Sequence, residues 1–108
     1  MTAVRFHEGA EQEIFTELGY LELRRKGLGR QFVREVRHAA GLIAQFPKSG
    51  EEIQPGIRRR LLRKFRYSLM YALEPEGVLI LAVAHHSRRP GYWSERLGGG
   101  EPQDQERE

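Results

Sequence analysis

The sequence predicts an α+β fold: a strand, a two-helix hairpin, a three-stranded antiparallel meander and a short C-terminal helix. Three observations carry that expectation. Apolar residues recur at three- and four-residue steps through the first part of the chain, the period of a helix face. From Ile57 the pattern changes to two-residue alternation, the period of a strand. Val78, Leu79, Ile80, Leu81, Ala82, Val83 and Ala84 then form an unbroken apolar run, as expected of a strand inside a sheet and covered on both faces.

Taken in order, Val4, Arg5 and Phe6 supply the first strand. Ala10, Ile14, Leu18 and Leu21 mark one face of the first helix. Its acids, Glu8, Glu11 and Glu13, lie near the start and its bases, Arg24, Arg25 and Lys26, near the end, as the helix dipole favours. Gly27 can adopt the left-handed conformation that closes a helix. The second helix begins near Leu28 to Arg30 and turns Phe32, Val36, Ala39, Ala40 and Ile43 inward; it ends at Phe46, because Pro47 disfavours helical geometry in the residue before it. Residues 48–56, with Ser49, Gly50, Pro55 and Gly56, read as a loop.

Residues 57–64 mix arginine and apolar side chains on both faces, which suits an edge strand whose charges deter stray pairing. Tyr67, Leu69, Tyr71 and Leu73 share one face of the next strand, and Glu74, Pro75, Glu76 and Gly77 turn the chain into the apolar run. Pro90 suits the first position of a short helix reaching Leu97.

A chain of 108 residues without repeats or long linkers fits a single domain, expected over residues 1–97. Residues 98–108 open with three glycines and hold four acids against Arg107, with no large apolar side chain, so they are read as a disordered acidic tail. The formal charge of +3 hides this asymmetry, since residues 1–97 carry 17 bases and 11 acids, or +6. With no cysteine, disulfides and thiolate sites are excluded and a reducing compartment is favoured. No apolar leader opens the sequence and no run approaches the roughly 18 to 20 apolar residues that span a bilayer, so a cytoplasmic setting is expected.

The densest charge lies at Arg58, Arg59, Arg60, Arg63, Lys64 and Arg66, six cations with no acid among them. His85, His86, Arg88, Arg89, Tyr92 and Trp93 follow the apolar strand. Together they predict one wall built to meet phosphate or an acidic protein. The cluster also fits a solvated edge strand, although six unbalanced bases exceed what solubility needs. Adjacent strand residues face opposite ways, so His85 and His86 do not make a metal site, and no metal or other cofactor is expected. Trp93 fits an anchor of the terminal helix as well as a contact residue, and Tyr67 and Tyr71 fit the core. Glu51 and Glu52 qualify as general bases only if their loop folds over the sheet; a mobile loop is the expectation.

The order of elements, the hairpin from Arg58 to Tyr71, the apolar strand and the run His85-x-x-Arg88-Arg89-Pro90-x-x-Trp93 resemble the RelE/ParE superfamily of bacterial toxin–antitoxin toxins, and lie nearer its ParE branch. The resemblance covers roughly residues 4–97. It implies a small basic protein that arrests growth and is neutralised by a cognate antitoxin, an amphipathic or extended segment of which would lie over the basic groove.

Two activities exist in that superfamily. The RelE type cuts messenger RNA on the ribosome without a metal and needs a base, an acid and cations around the phosphorus. Laid on that pattern, the middle-strand Arg position falls on Ser68, the later Arg position on His86 and the terminal Tyr on Tyr92. Endoribonuclease activity would then rest on His86, Tyr92 and Arg66, with Arg66 expected on the same sheet face as Ser68. The ParE type resembles inhibitors of DNA gyrase and needs only a complementary surface, for which the expected contacts to target or antitoxin are Arg58, Arg59, Arg60, Arg63, Lys64, Arg66, His85, Arg88, Arg89 and Trp93. The substitutions favour the ParE type. A generic nucleic-acid-binding module, its basic strand lying along phosphates, is the third reading.

Overall fold

The computed structural model describes residues 2–97. Its elements are β1 (Val4–Phe6), α1 (Glu8–Arg24), α2 (Leu28–Gln45), β2 (Glu51–Gln54), β3 (Ile57–Leu61), β4 (Tyr67–Glu74), β5 (Gly77–His85) and a 3₁₀ helix (Tyr92–Arg96). They form one five-stranded mixed sheet in the order β1-β5-β4-β3-β2, in which β1 runs parallel to β5 and the other pairs are antiparallel. The α+β expectation holds. The expected acidic tail lies outside the described residues.

The helix hairpin closes as its residues dictate. His7 caps α1 by accepting the Gly9 N–H on Nδ1 at 2.9 Å. Gly27, at φ 87°, reverses the chain between the helices. Glu22 accepts the N–H groups of Gly27 at 2.7 Å and Gly29 at 3.0 Å, donors that α2 leaves free at its start, and these bonds hold its carboxyl below the usual value. Phe32, Val36, Ala39 and Ile43 of α2 pack with Ala10 and Leu21 of α1 on Tyr67, Leu69, Tyr71, Val78, Ile80 and Val83 of the sheet. Phe32 is the centre of this layer, with ring centroids 4.8 Å from Tyr67 and 5.5 Å from Phe65. Each such large side chain contributes about 1.5–3 kcal/mol by leaving water.

Strand β5 is internal, and its burial on both sides bears out the apolar run. Its second face joins Leu79, Leu81 and Ala82 to Ile57, Ala72 and Trp93. Between Met70 and Tyr71 the β4–β5 register slips by one, so that Met70 pairs with Ala82 and Tyr71 with Ile80, leaving Leu81 as a bulge.

Three expectations need correction. Residues 48–56 are not all loop: β2 pairs with β3, so the meander has four strands and β2 is the edge. Strand β3 stops at Leu61, leaving Arg63, Lys64 and Arg66 in the bend before β4. The terminal helix is 3₁₀ rather than α and starts at Tyr92; Gly91, at φ 76°, sets its entry and Pro90 stands outside it.

Candidate functional site

Strand pairing decides which arginines meet. Arg59 lies opposite Met70 and shares the face of Ser68 and Ala72, away from the helices. Arg58 and Arg60 lie opposite Tyr71 and Leu69 and therefore point to the helix side. There Arg58 Nη1 donates to the carbonyls of Lys48 at 3.0 Å and Gly50 at 2.7 Å, and Arg60 Nη1 donates to Ser49 Oγ at 2.9 Å. These two tie down the α2–β2 connection. The six cations thus do not form the single wall expected of them: alternation along a strand splits them between faces.

On the far face a groove of about 320 Å³ runs between β2, β3, β4 and the segment after β5. Arg59, Ser68, His86, Arg88, Arg89 and Tyr92 line it. Ser68 is 1% exposed, and its Oγ lies 2.9 Å from His86 Nε2. Arg59 Nη2 donates to Glu51 Oε1, while its buried Nε has no partner among the described residues. Glu51 and Glu52 sit on the edge strand opposite Arg59 and Arg58 and are the acids that the basic segment lacked in sequence, not a mobile loop.

His85 faces the other way. Its ring meets Tyr67 edge-on at 5.0 Å and Nδ1 lies 2.8 Å from Ser87 Oγ. Arg66 and Lys64 line a separate depression of about 460 Å³ with Glu17, Tyr20 and Arg24, so Arg66 does not share the groove of Ser68. Arg88 and His85 border both depressions. Arg63 is exposed in the bend. Trp93 is buried under the sheet face, where it fixes the 3₁₀ helix and is core rather than a free contact.

The groove is held by two residues that sequence reasoning did not assign to it. Strand β1 covers β5 only as far as Ile80, so the outer edge of β5 beyond that point has no strand partner. Glu13 fills the gap: Oε1 accepts the Val83 N–H at 2.9 Å, and both carboxylate oxygens take Arg96 at 3.1 Å. Arg96 Nη1 also donates to the Leu81 carbonyl at 2.8 Å, and Tyr92 donates its hydroxyl to Glu13 Oε2 at 2.6 Å. Burial and that bond push the Tyr92 hydroxyl above its ordinary value, making it a poorer acid at neutral pH. The Arg88 guanidinium stacks 3.8 Å above the same ring. The short length of β1 was the available signal, since an internal strand longer than its neighbour leaves N–H and C=O groups that something must satisfy.

Among the described residues no three His, Asp or Glu side chains gather in metal-binding reach, and no helix is long and apolar enough to cross a membrane.

A small α+β chain with a helix hairpin on one side of its sheet and a cationic groove on the other defines the structural class. The family described as the ParE toxin of the type II toxin–antitoxin system, parDE, matches residues 4–90, and the chain belongs to that family. A solved structure titled as the chromosomal ParDE TA system from P. aeruginosa is similar over 79% of this chain and 96% of that one, with TM-score 0.70 and 13% sequence identity; at that identity the likeness concerns the fold. Comparison with curated proteins gives no match.

Proposed function

We propose that this chain arrests growth in the cytoplasm by binding DNA gyrase through the groove of Arg59, His86, Arg88 and Arg89, and that a cognate antitoxin neutralises it by covering the same groove. Family membership supplies the toxin class. The observation that carries the rest is the gathering of three guanidiniums in one groove: Arg59, held in place by Glu51, lies with the exposed Arg88 and Arg89, a cationic lining suited to an anionic group of a partner. His86, paired with Ser68, adds an imidazole to the same lining. Arg58 and Arg60 act by holding the groove wall, and Arg63, Lys64 and Arg66 form an outer basic rim.

The message-cleaving alternative asks more of the residues. Of the residues it would rest on, His86, Tyr92 and Arg66, Tyr92 has its hydroxyl engaged by Glu13 and Arg66 lies over the other depression. A nucleic-acid-binding module lacks a recognition helix in the groove and ranks below both. Purified protein offered to supercoiling gyrase and, separately, to ribosomes translating a message discriminates the readings. Inhibited supercoiling with intact message is expected; cleaved message with normal supercoiling would replace this reading with the RelE type.

A further inference from the structure

The two helices divide their apolar residues differently. Helix α2 buries Phe32, Val36, Ala39, Ile43 and Ala44, and its outer face is arginine, glutamine and histidine with Gly41, a glycine also free of neighbours within 4 Å but without exposed apolar side chains four residues to either side. Helix α1, of nearly the same length, fully buries only Ala10 and Leu21, while Phe15 is 72% exposed and Leu23 90% exposed. Phe15, Gly19 and Leu23 fall four residues apart and so share the outer face of α1. Gly19 is exposed mid-helix, nothing lies within 4 Å of the position its Cβ would take, and φ there is ordinary. No contact within the chain calls for glycine, which costs a helix about 1 kcal/mol relative to alanine.

We infer that α1 is a self-association surface, on which a second copy of this chain packs antiparallel with the crossing point at Gly19. This goes beyond the groove-based reading and uses none of its residues. The argument is one of self-complementarity. A two-fold axis places each residue opposite its mirror position about the crossing point. Phe15 and Leu23 stand equally far from Gly19, about 6 Å along the axis on either side, so each Phe15 comes level with Leu23 of the other copy. The missing side chain at Gly19 lets the backbones approach and gives the flanking side chains a notch to enter.

The charges agree with that pairing and disfavour a parallel one. Acids, Glu8 and Glu11, sit at the start of α1 and bases, Arg25 and Lys26, just past its end. An antiparallel crossing at Gly19 brings Glu11, in the first turn of one α1, toward the end of the other α1, where Lys26 stands in the turn just past the helix. Neither Glu11 nor Lys26 has an ion-pair partner among the described residues. A parallel pair would oppose like with like at both ends.

Sedimentation equilibrium of the full chain from about 1 μM to 1 mM tests this, because an interface built on one helix pair falls at the small end of specific contacts. A monomer–dimer equilibrium is expected. Gly19→Gln should weaken it at least tenfold while leaving the fold intact or more stable, since the side chain enters open space and the helix gains propensity. Glu11→Lys should weaken it, and adding Lys26→Glu should restore it. A chain monomeric at all these concentrations overturns the inference, as does a dimer indifferent to Gly19→Gln and Leu23→Glu. If the chain is monomeric and Leu23→Glu instead weakens antitoxin binding, the face belongs to the antitoxin and self-association is refuted.

Discussion

The two faces of the sheet obey different rules. Under the helices, Tyr67, Leu69, Tyr71, Ile80 and Val83 meet Phe32, Val36 and Ile43 in a closed apolar layer, and among the described residues no buried side-chain polar atom on this side lacks a partner. Tyr71, for example, donates to the Pro47 carbonyl at 2.7 Å and accepts the Gly50 N–H at 3.0 Å. On the far face Ile57, Ala72, Leu79, Leu81, Ala82 and Trp93 form a smaller buried cluster edged by Ile53, Met70, Tyr92 and Leu97, and beside it runs a groove with a serine–histidine pair and the guanidiniums of Arg59, Arg88 and Arg89. One sheet thus separates the residues that hold the fold from those available to a partner. Arg58, Arg59 and Arg60 show the division at single-residue resolution: the outer two tie a loop, the middle one lines the groove.

That contrast can be broken most severely from the closed side. Phe32→Ala should cost about 3–5 kcal/mol in denaturant unfolding, because it empties the centre of the helix layer. Next comes the link between the faces. Glu13→Gln removes the charge that Arg96 and Tyr92 converge on, and should cost about 2–4 kcal/mol and shift the fluorescence of Trp93, the chain's one tryptophan, as the 3₁₀ helix loosens. A silent fluorescence signal would mean that Trp93 packing alone holds the 3₁₀ helix.

Exchanging roles among the arginines sharpens the comparison. Arg59→Gln or Arg88→Gln should weaken inhibition of the target roughly 10- to 100-fold with little loss of stability, whereas Arg58→Gln should lower stability by about 1 kcal/mol and leave inhibition within a few-fold. Equal effects of Arg58→Gln and Arg59→Gln on inhibition would erase the distinction between the faces.

The smallest effect is in pH. Tyr67, which bonds Glu17, and Tyr92, which bonds Glu13, both have hydroxyls raised above 10 by burial first and the carboxylate second. In the unfolded chain they ionise near pH 10, while in the fold they stay protonated. Their contribution is therefore complete below pH 10 and is lost as pH rises beyond it. Thermal melts should show stability falling above pH 10, and Tyr92→Phe should make that fall shallower.

Much of this was legible in the chain. The helices follow from four-residue apolar steps, and their ends from Gly27 and Pro47. The status of β5 followed from seven consecutive apolar residues. Strand β2 was not legible as a strand, since Glu51, Glu52, Ile53 and Gln54 offer one apolar side chain; the hint was Pro55-Gly56, a two-residue turn that sends the chain back along itself, with Gly56 at φ 80°. Glu13 looked like an ordinary acid at a helix start, and its role depends on β1 ending early.

The sequence by itself determined the two covered layers, because the periodicity of apolar residues states how much of each element must leave water, and it determined that the molecule carries excess positive charge. Only the tertiary structure decided where that charge points. The bulge at Leu81 shifts the alternation of β5 by one residue, so Ile80 and Val83 face the helices, Ala82 and Ala84 face away, and His86 rather than His85 enters the groove beside Ser68. A strand's facing is fixed by its partner's register, and a one-residue slip in that register leaves no mark in the apolar run that contains it.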